Sequence, residues 1–355
     1  MFNKTFVLKF ALILFIISVL TSNINAQKKQ YKIRCVGFYN LENLFDTIDS
    51  PDTYDYEFLP SGSKVWTSER YHKKLHNMAE VISQIGDEYV KGGPDILGIS
   101  EVENRNVVED LISQPQLVKS NYGIVHYDSP DERGIDVALI YKKNSFKVIH
   151  SSYHNLYFTF DPHDRTRGQM VVTGLFDKDT INIIVNHWPS RGGGQKASEP
   201  KRNAAGDLCR HLVDSLFNLN KNAKIIVMGD LNDNPDNNSV VKHLRAKGSE
   251  KKLKTGDLYS PFYNVYKNGV GTTAYRDAWS FFDQLIISQA LLSKDQTSFV
   301  YWKAGICRKN FMIQQDGKYK GYPKRTFAFD RFQNGYSDHF PTYLFLIKEK
   351  NKSLN

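Results

Sequence analysis

Cleaving a phosphoric ester in water calls for a hard cation on the phosphoryl oxygens, an oriented water, and positive charge or a proton delivered to the leaving oxygen. Residue types able to supply these parts recur in this chain at one kind of place, the polar end of a short apolar run. The run Tyr31 to Tyr39 leads into Asn40, Asp95 to Ser100 into Glu101, Ile181 to Asn186 into His187, and Lys224 to Gly229 into Asp230. A single Glu or Asn in such a place is more often a cap or a turn residue, and it is the repetition that favours chemistry. Glu101 and Asn40 offer the oxygens that, with waters and a substrate phosphate, complete six ligands around Mg²⁺. In Gly229-Asp-Leu-Asn-Asp-Asn-Pro235, Asp230 and Asn232 stand two apart and face one side of an extended segment. The acid suits orienting or deprotonating a water, and the amide suits hydrogen bonding to phosphoryl oxygens. Asp233, Asn234 and Asp236 fit a turn and call for no further role. Near the C-terminus, Ser337-Asp-His-Phe-Pro341 sets Asp338 and His339 side by side before a last apolar run. Asp283 lies in another apolar run, where a bare carboxylate would be costly. Paired with His339 it would fix the tautomer and favour the imidazolium.

Positioning these residues is the work of the runs themselves. Continuous apolar stretches of this kind predict central strands buried on both faces, whose polar ends converge on one rim of a sheet. Residues 134 to 141, 168 to 176, 281 to 288 and 341 to 347 predict further strands. Two helices are predicted. One, Ser68 to Val90, carries Leu75, Met78, Ala79, Ile82 and Ile85 on one stripe and ends at Gly92-Gly93-Pro94; the other, Glu199 to Asn218, carries Ala205, Leu208, Cys209, Leu212 and Leu216. Both read as packing helices without a part in the chemistry. The expected architecture is two sheets packed face to face and covered by helices, with the strand order open.

The first residues have the layout of a secretory signal peptide: Lys4 and Lys9, an apolar run from Phe10 to Leu20, then small and polar residues to Ala26. The run is too short to cross about 30 Å of hydrocarbon, and no Cys follows Ala26 to take a lipid. The expectation is an exported protein, periplasmic or secreted, cleaved near Ala26 and without stable membrane insertion. Residues 27 to 355 contain no repeat, linker or low-complexity tract, and one catalytic domain and a monomer are expected. The leader holds two of the positive charges behind the formal +9, so the remainder carries +7, a balance that favours polyanionic partners without identifying one. Cys35, Cys209 and Cys307 are too few and too widely spaced for a disulfide scaffold, and buried thiols, with at most one bridge, are expected. No Cys/His cluster has zinc spacing.

The ordered series Asn40, Glu101, His187, Asp230 with Asn232, Asp283, and Asp338 with His339 resembles the endonuclease/exonuclease/phosphatase superfamily, in its exported, deoxyribonuclease-like branch. The likeness spans almost the whole chain after the leader, and Gly229-Asp-Leu-Asn232 with Ser337-Asp-His-Phe-Pro341 are its most specific motifs. It implies a four-layer α/β sandwich, two mainly antiparallel or mixed sheets flanked by helices. Metal binding falls chiefly to Glu101, with Asn40 and Asp338 nearby, for Mg²⁺ with Mn²⁺ or Ca²⁺ as alternatives. Catalysis falls to His187, Asp230, Asn232 and the Asp283–His339 pair. His187, in Asn186-His-Trp-Pro-Ser190, resembles the second histidine of the deoxyribonuclease and sphingomyelinase branches, where abasic-site enzymes have Asn. Arg167 resembles a phosphate-contacting arginine of pancreatic-type deoxyribonuclease, with Arg165 an equal rival, and Arg133 is expected to be structural with Asp136 as its partner.

Two loops bear on substrate. Ser190-Arg-Gly-Gly-Gly-Gln-Lys196 follows His187, and Lys318-Tyr-Lys-Gly-Tyr-Pro-Lys-Arg325 precedes Asp338. Basic residues interleaved with Tyr suit phosphate contacts and base stacking, so nucleic acid, DNA or RNA, is the expected substrate. A sphingomyelinase-like or inositol-phosphate phosphoesterase is the rival enzyme, disfavoured by the lack of an exposed apolar hairpin. A binding protein that kept the fold and lost the chemistry is disfavoured by the intact series of acids, amides and histidines.

Overall fold

The computed structural model describes residues 29–350 apart from residue 51. The expected leader, residues 1 to 26, lies outside them. Strands β1 (Tyr31–Leu44), β2 (Ile96–Val102), β3 (Tyr122–His126) and β4 (Asp136–Lys142) come first. Then follow β5 (Phe146–His154), β6 (Gln169–Phe176), β7 (Asp179–His187), β8 (Ile225–Asp230) and the short β9 (Ala246–Lys247) and β10 (Leu258–Tyr259). A hairpin of β11 (Thr273–Tyr275) and β12 (Ala278–Ser280) leads into β13 (Asp283–Ser288). Strand β14 (Val300–Ile306), the hairpin β15 (Phe327–Ala328) and β16 (Arg331–Phe332), and β17 (Thr342–Glu349) complete the chain. The three long helices are α1 (Ser68–Gln84), α2 (Arg105–Ile112) and α3 (Gln195–Leu219).

Two mixed sheets result. One runs β14-β17-β1-β2-β4-β3 and the other β5-β6-β7-β8-β13-β10-β9. β1 with β2 in the first and β7 with β8 in the second form a parallel pair at the middle, with antiparallel neighbours on both sides, and the short strands β9 and β10 at one edge also pair parallel. Strand alternation sorts the side chains into layers. Val36 and Phe38 of β1 meet Ile183 and Val185 of β7, Ile226 and Met228 of β8, and Leu285 and Ile287 of β13 in one core between the sheets. Cys35 and Tyr39 point the other way, into a core roofed by Leu75, Met78 and Ile82 of α1. Ile225 and Val227 do the same beneath Ala205, Cys209 and Val213 of α3. Helix, sheet, sheet, helix is therefore the order of layers, as the resemblance implied. The sheets approach closely at Gly98, where an added Cβ would lie 2.5 Å from the Met228 sulfur.

The predicted helices shift at their ends. The first stops at Gln84, because Gly86 takes a left-handed φ of 71° and the chain then turns rather than coils to Val90. The second begins at Gln195, earlier than predicted, and carries Pro200 within its second turn, where the ring leaves the Lys196 carbonyl without its i→i−4 donor. All three cysteines are buried and free, with no bridge among them. Among the described residues no helix is long and apolar enough to cross a membrane.

Candidate active site

The same alternation that builds the inter-sheet core selects the site. Asn40 continues the parity of Val36 and Phe38, His187 that of Ile183 and Val185, Asp230 that of Ile226 and Met228, and Asp283 that of Leu285 and Ile287. Each parity set reaches the end of its strand at the same rim. Register then sets neighbours: Asp230 stands opposite both His187 and Asp283, so three polar side chains cross the edge of one sheet in a row. The Asn40 amide spans to that row from the other sheet, donating from Nδ2 to Asp230 Oδ2 at 3.0 Å.

Glu101 arrives by a different device. The pairing of β2 with β4 slips between Ser100 and Val102, and Glu101 takes a left-handed φ of 59°. Its Oε2 accepts the Asn43 N–H at 3.0 Å, while Oε1 lies 3.6 Å from His187 Nε2. Glu42, Asn43 and Asn232 share this backbone conformation, which costs a non-glycine residue on the order of 1 kcal/mol. Four such residues at one rim mark where the fold accepts strain to aim side chains.

Asp230 is held at both oxygens, Oδ1 by the Asn232 N–H at 2.9 Å and Oδ2 by Asn40. Burial, reinforced by the Asp283 charge, raises its pKa to about 6 against the opposing pull of His339. His339 donates from Nδ1 to Asp283 Oδ2 at 2.7 Å, and its Nε2 faces Asp230 Oδ2 at 3.8 Å and Asp338 Oδ1 at 3.9 Å. Burial works against an imidazolium there but is outweighed by Asp283 and Asp230, so its pKa stands well above the ordinary value. His187 is the opposite case: burial, then the charges of Arg167 and Arg133, hold it well below that value and therefore neutral. Two histidines with Nε2 atoms within 3.8 Å of one carboxylate oxygen thus carry different charge.

Two carboxylate groupings could attract a cation. Asp230, Asp283 and His339 converge closely enough to do so, yet the short His339–Asp283 hydrogen bond already occupies the facing atoms. Glu101 Oε1 and Asp338 Oδ1 carry no hydrogen bond among the described residues, and Asn40 Oδ1 accepts only the Glu42 N–H. These are hard oxygens of the type that suits Mg²⁺ or Mn²⁺, and this donor set fits a divalent cation.

Several expectations need correction. Asn232 does not lie in an extended segment; its φ of 49° makes it part of a turn, and its amide donates to the Trp188 carbonyl at 2.9 Å. Asp233, read as a turn residue without further role, is buried and anchors Arg202, Arg191 and the Ser239 hydroxyl. Arg191, read with its loop as a free phosphate contact, is turned inward to the Asn232 carbonyl and Asp233, because those acceptors lie directly beneath the loop. Arg133 pairs with Asp131 at 3.6 Å, since Asp136 is taken by His126 at 2.8 Å. Arg167 is buried under Trp188, its two terminal nitrogens donating to Asp131 and to the Trp188 carbonyl, while Arg165 is exposed beside Glu132.

The largest omission is a charged network below Asp338. Lys74 of α1 is fully buried and donates to the Thr326 hydroxyl and the Tyr336 carbonyl. Glu42 accepts from the Thr326 N–H at 2.7 Å and from Arg325 Nε at 3.0 Å, and Arg325 Nη2 donates to Asp338 Oδ2 at 2.8 Å. Burial, with the Asp338 charge adding, raises the Glu42 pKa to about 7, and burial lowers that of Lys74 to about 8. A signal existed in the sequence. Lys74 sits inside the apolar stripe of Tyr71, Leu75 and Met78, where a lysine on a packing helix requires a buried partner.

A carboxylate–imidazole pair, a second carboxylate braced by two amides, and hard oxygen donors beside them are the parts that hydrolysis of a phosphoric ester calls for. The family comparison agrees, matching residues 35–348 to the Endonuclease/Exonuclease/phosphatase family, and the chain belongs to that family, whose members hydrolyse phosphoric esters with divalent metals. No curated protein matches the sequence. Among solved structures, TDP2 of D. rerio in complex with a single-strand DNA product shares the fold at TM-score 0.54 and 12% identity, over 89% of this chain and 99% of that one. The mannosyl-6-phosphatase of Bacteroides thetaiotaomicron gives 0.53 and 17%, over 88% and 99%. The human Nocturnin catalytic domain with bound sulfate gives 0.51 and 17%, over 91% and 98%.

Proposed function

We propose that this protein is an exported, Mg²⁺-dependent phosphodiesterase whose substrate is nucleic acid. The observation that carries the reaction class is the Asp283–His339 hydrogen bond aimed at Asp230, with Glu101 and Asp338 beside it. Glu101, Asp338 and the Asn40 carbonyl oxygen would hold a divalent cation, which would supply charge to the phosphoryl oxygens. Asp230, fixed at both oxygens, orients the attacking water and accepts its proton. His339, kept as an imidazolium by Asp283, holds a phosphoryl oxygen through Nε2–H. His187 is neutral and donates or accepts without adding charge. Asn232 keeps one amide hydrogen for substrate after bonding Trp188.

Nucleic acid as substrate draws on the net positive charge, the Lys318–Arg325 loop and the DNA product held by the D. rerio relative. Export draws on the layout of residues 1 to 26. A sugar phosphate is the second reading, because the B. thetaiotaomicron relative is a phosphatase of that class and Arg191, turned inward, removes one basic loop from the nucleic-acid argument. Purified enzyme incubated with plasmid DNA, RNA, sphingomyelin, inositol phosphates and mannose 6-phosphate, with Mg²⁺ or chelator, separates them. Fragmentation of DNA or RNA that chelator stops is the expected result; intact nucleic acid beside a hydrolysed sugar, inositol or lipid phosphate overturns the nuclease reading.

A further inference from the structure

A phosphate anion approaching this rim meets Glu42, Glu101, Asp230, Asp283 and Asp338, a concentration of negative charge that must be offset before an anionic substrate can settle. The fold places several cations nearby, but most are enclosed. Lys74 is fully buried, Arg167 is buried with both terminal nitrogens bonded to protein oxygens, and Arg191 is clamped beneath its loop. Arg165 is exposed but turned to Glu132, and two guanidinium groups, those of Arg133 and Arg325, are half-exposed.

They differ in how they are held. No hydrogen bond fixes the Arg133 guanidinium among the described residues, and Asp131 stands 3.6 Å from it. Arg325 is fixed in plane by two carboxylates on different segments, Glu42 through Nε and Asp338 through Nη2, and its Nη1 has no hydrogen-bond partner among the described residues. A guanidinium held by two of its edges and open at the third is prepared to bind an oxyanion without losing further side-chain freedom. It is also in the right place. Asp338, which it touches at 2.8 Å, faces His339 Nε2 across 3.9 Å, so one carboxylate separates the guanidinium from the imidazolium.

We propose that Arg325 is a substrate-binding residue that grips a phosphoryl oxygen beside the metal position, and that Glu42 and Lys74 are the positioning residues that aim it. The backbone takes part in this brace, since Glu42 adopts a left-handed φ of 51° at the end of β1. The brace also explains why α1 carries a buried lysine. Lys74 holds Thr326, the residue after Arg325, from below, while Glu42 accepts from the backbone of that same residue.

This inference rests on the reading of the rim as a phosphate-ester site but not on which ester is cleaved. The direct test is calorimetric titration of the full chain with inorganic phosphate at saturating Mg²⁺, for wild type and for Arg325→Ala, Arg325→Lys, Glu42→Gln and Arg133→Ala. Losing a charged hydrogen-bond donor should weaken phosphate binding about tenfold or more in Arg325→Ala. Arg325→Lys should recover little of it, Glu42→Gln should lose less than Arg325→Ala, and Arg133→Ala should stay within about twofold of wild type. Mg²⁺ affinity, titrated separately, should not fall in Arg325→Ala, because the variant removes a positive charge beside Asp338, and ethylguanidinium should restore phosphate binding to it. Phosphate affinity unchanged in Arg325→Ala, a loss traced wholly to weaker Mg²⁺ binding, or no phosphate binding by wild type would overturn the proposal. If Arg325→Ala melts early, Arg325→Gln, which keeps a hydrogen-bonding side chain, carries the same comparison. Phosphate binding that depends on Arg325 while nucleic acid stays uncut would sink the nuclease reading alone.

Discussion

Asp230 and His339 divide the chemistry by charge, and that division predicts a pH profile. Asp230 must be a carboxylate to take a proton from water, so the rate should fall as pH drops through about 6. His339 must be an imidazolium to hold a phosphoryl oxygen, so the rate should also fall as pH rises through its raised pKa, above the ordinary imidazole range. Asp283→Asn removes the partner that sustains the imidazolium, and a pH–rate profile of that variant should show the alkaline limb moved to lower pH. An unmoved limb would detach His339 from the reaction. Asp230→Asn and His339→Ala should each reduce kcat by about 10²–10⁴-fold in steady-state assays. Glu101→Gln should raise the Mg²⁺ concentration for half-maximal rate, by about tenfold or more if Glu101 is the principal ligand. These residues were legible in the sequence because each borders or interrupts an apolar run, Glu101 and Asp230 at its end, His339 before it and Asp283 within it, and a polar residue there stands out.

At the scale of elements, the strand ends are held by buried ion pairs that no local pattern announces. Arg202 of α3 is fully enclosed and forms an ion pair with Asp233, three residues beyond Asp230, while Lys74 of α1 underpins the Thr326 segment behind Asp338. Each helix therefore packs its sheet and also fixes one side of the site, which the reading of both as packing helices alone did not include. Removing one partner of a buried pair strands the other charge, and Arg202→Ala should lower stability by about 3–5 kcal/mol in urea unfolding. Its residual folded fraction should show a reduced kcat as the turn from Asp230 to Asn234 loosens. The stripe that predicted α1 correctly located its core face, yet Lys74 belongs to that face, and only its burial turns a surface-type residue into a support.

Over the whole molecule, the two-sheet sandwich makes distant segments act as one rim. Hydrolysis should cease with chelator and return with Mg²⁺, and cell fractionation should recover the protein outside the cytoplasm if residues 1 to 26 direct export. The amino-acid sequence by itself determined strands β1, β2, β4, β6, β7, β8, β13 and β17, the polar ends of β1, β2, β7 and β8, helices α1 and α3 and the resemblance that orders them, because period and polarity are properties of consecutive residues, while β3, β5, β14 and α2 were not read from it. It also carried the Asp283–His339 pairing, since a carboxylate in an apolar run needs a partner. Strand order, the convergence of Asn40 on Asp230 across the sheets, and the identity of the accessible arginine were decided only by tertiary structure. The physical reason is that a guanidinium's role depends on which acceptors surround it. Arg167, Arg191 and Arg325 look alike along the chain, and burial against Asp131, clamping against Asp233 and exposure beside Asp338 make them different residues.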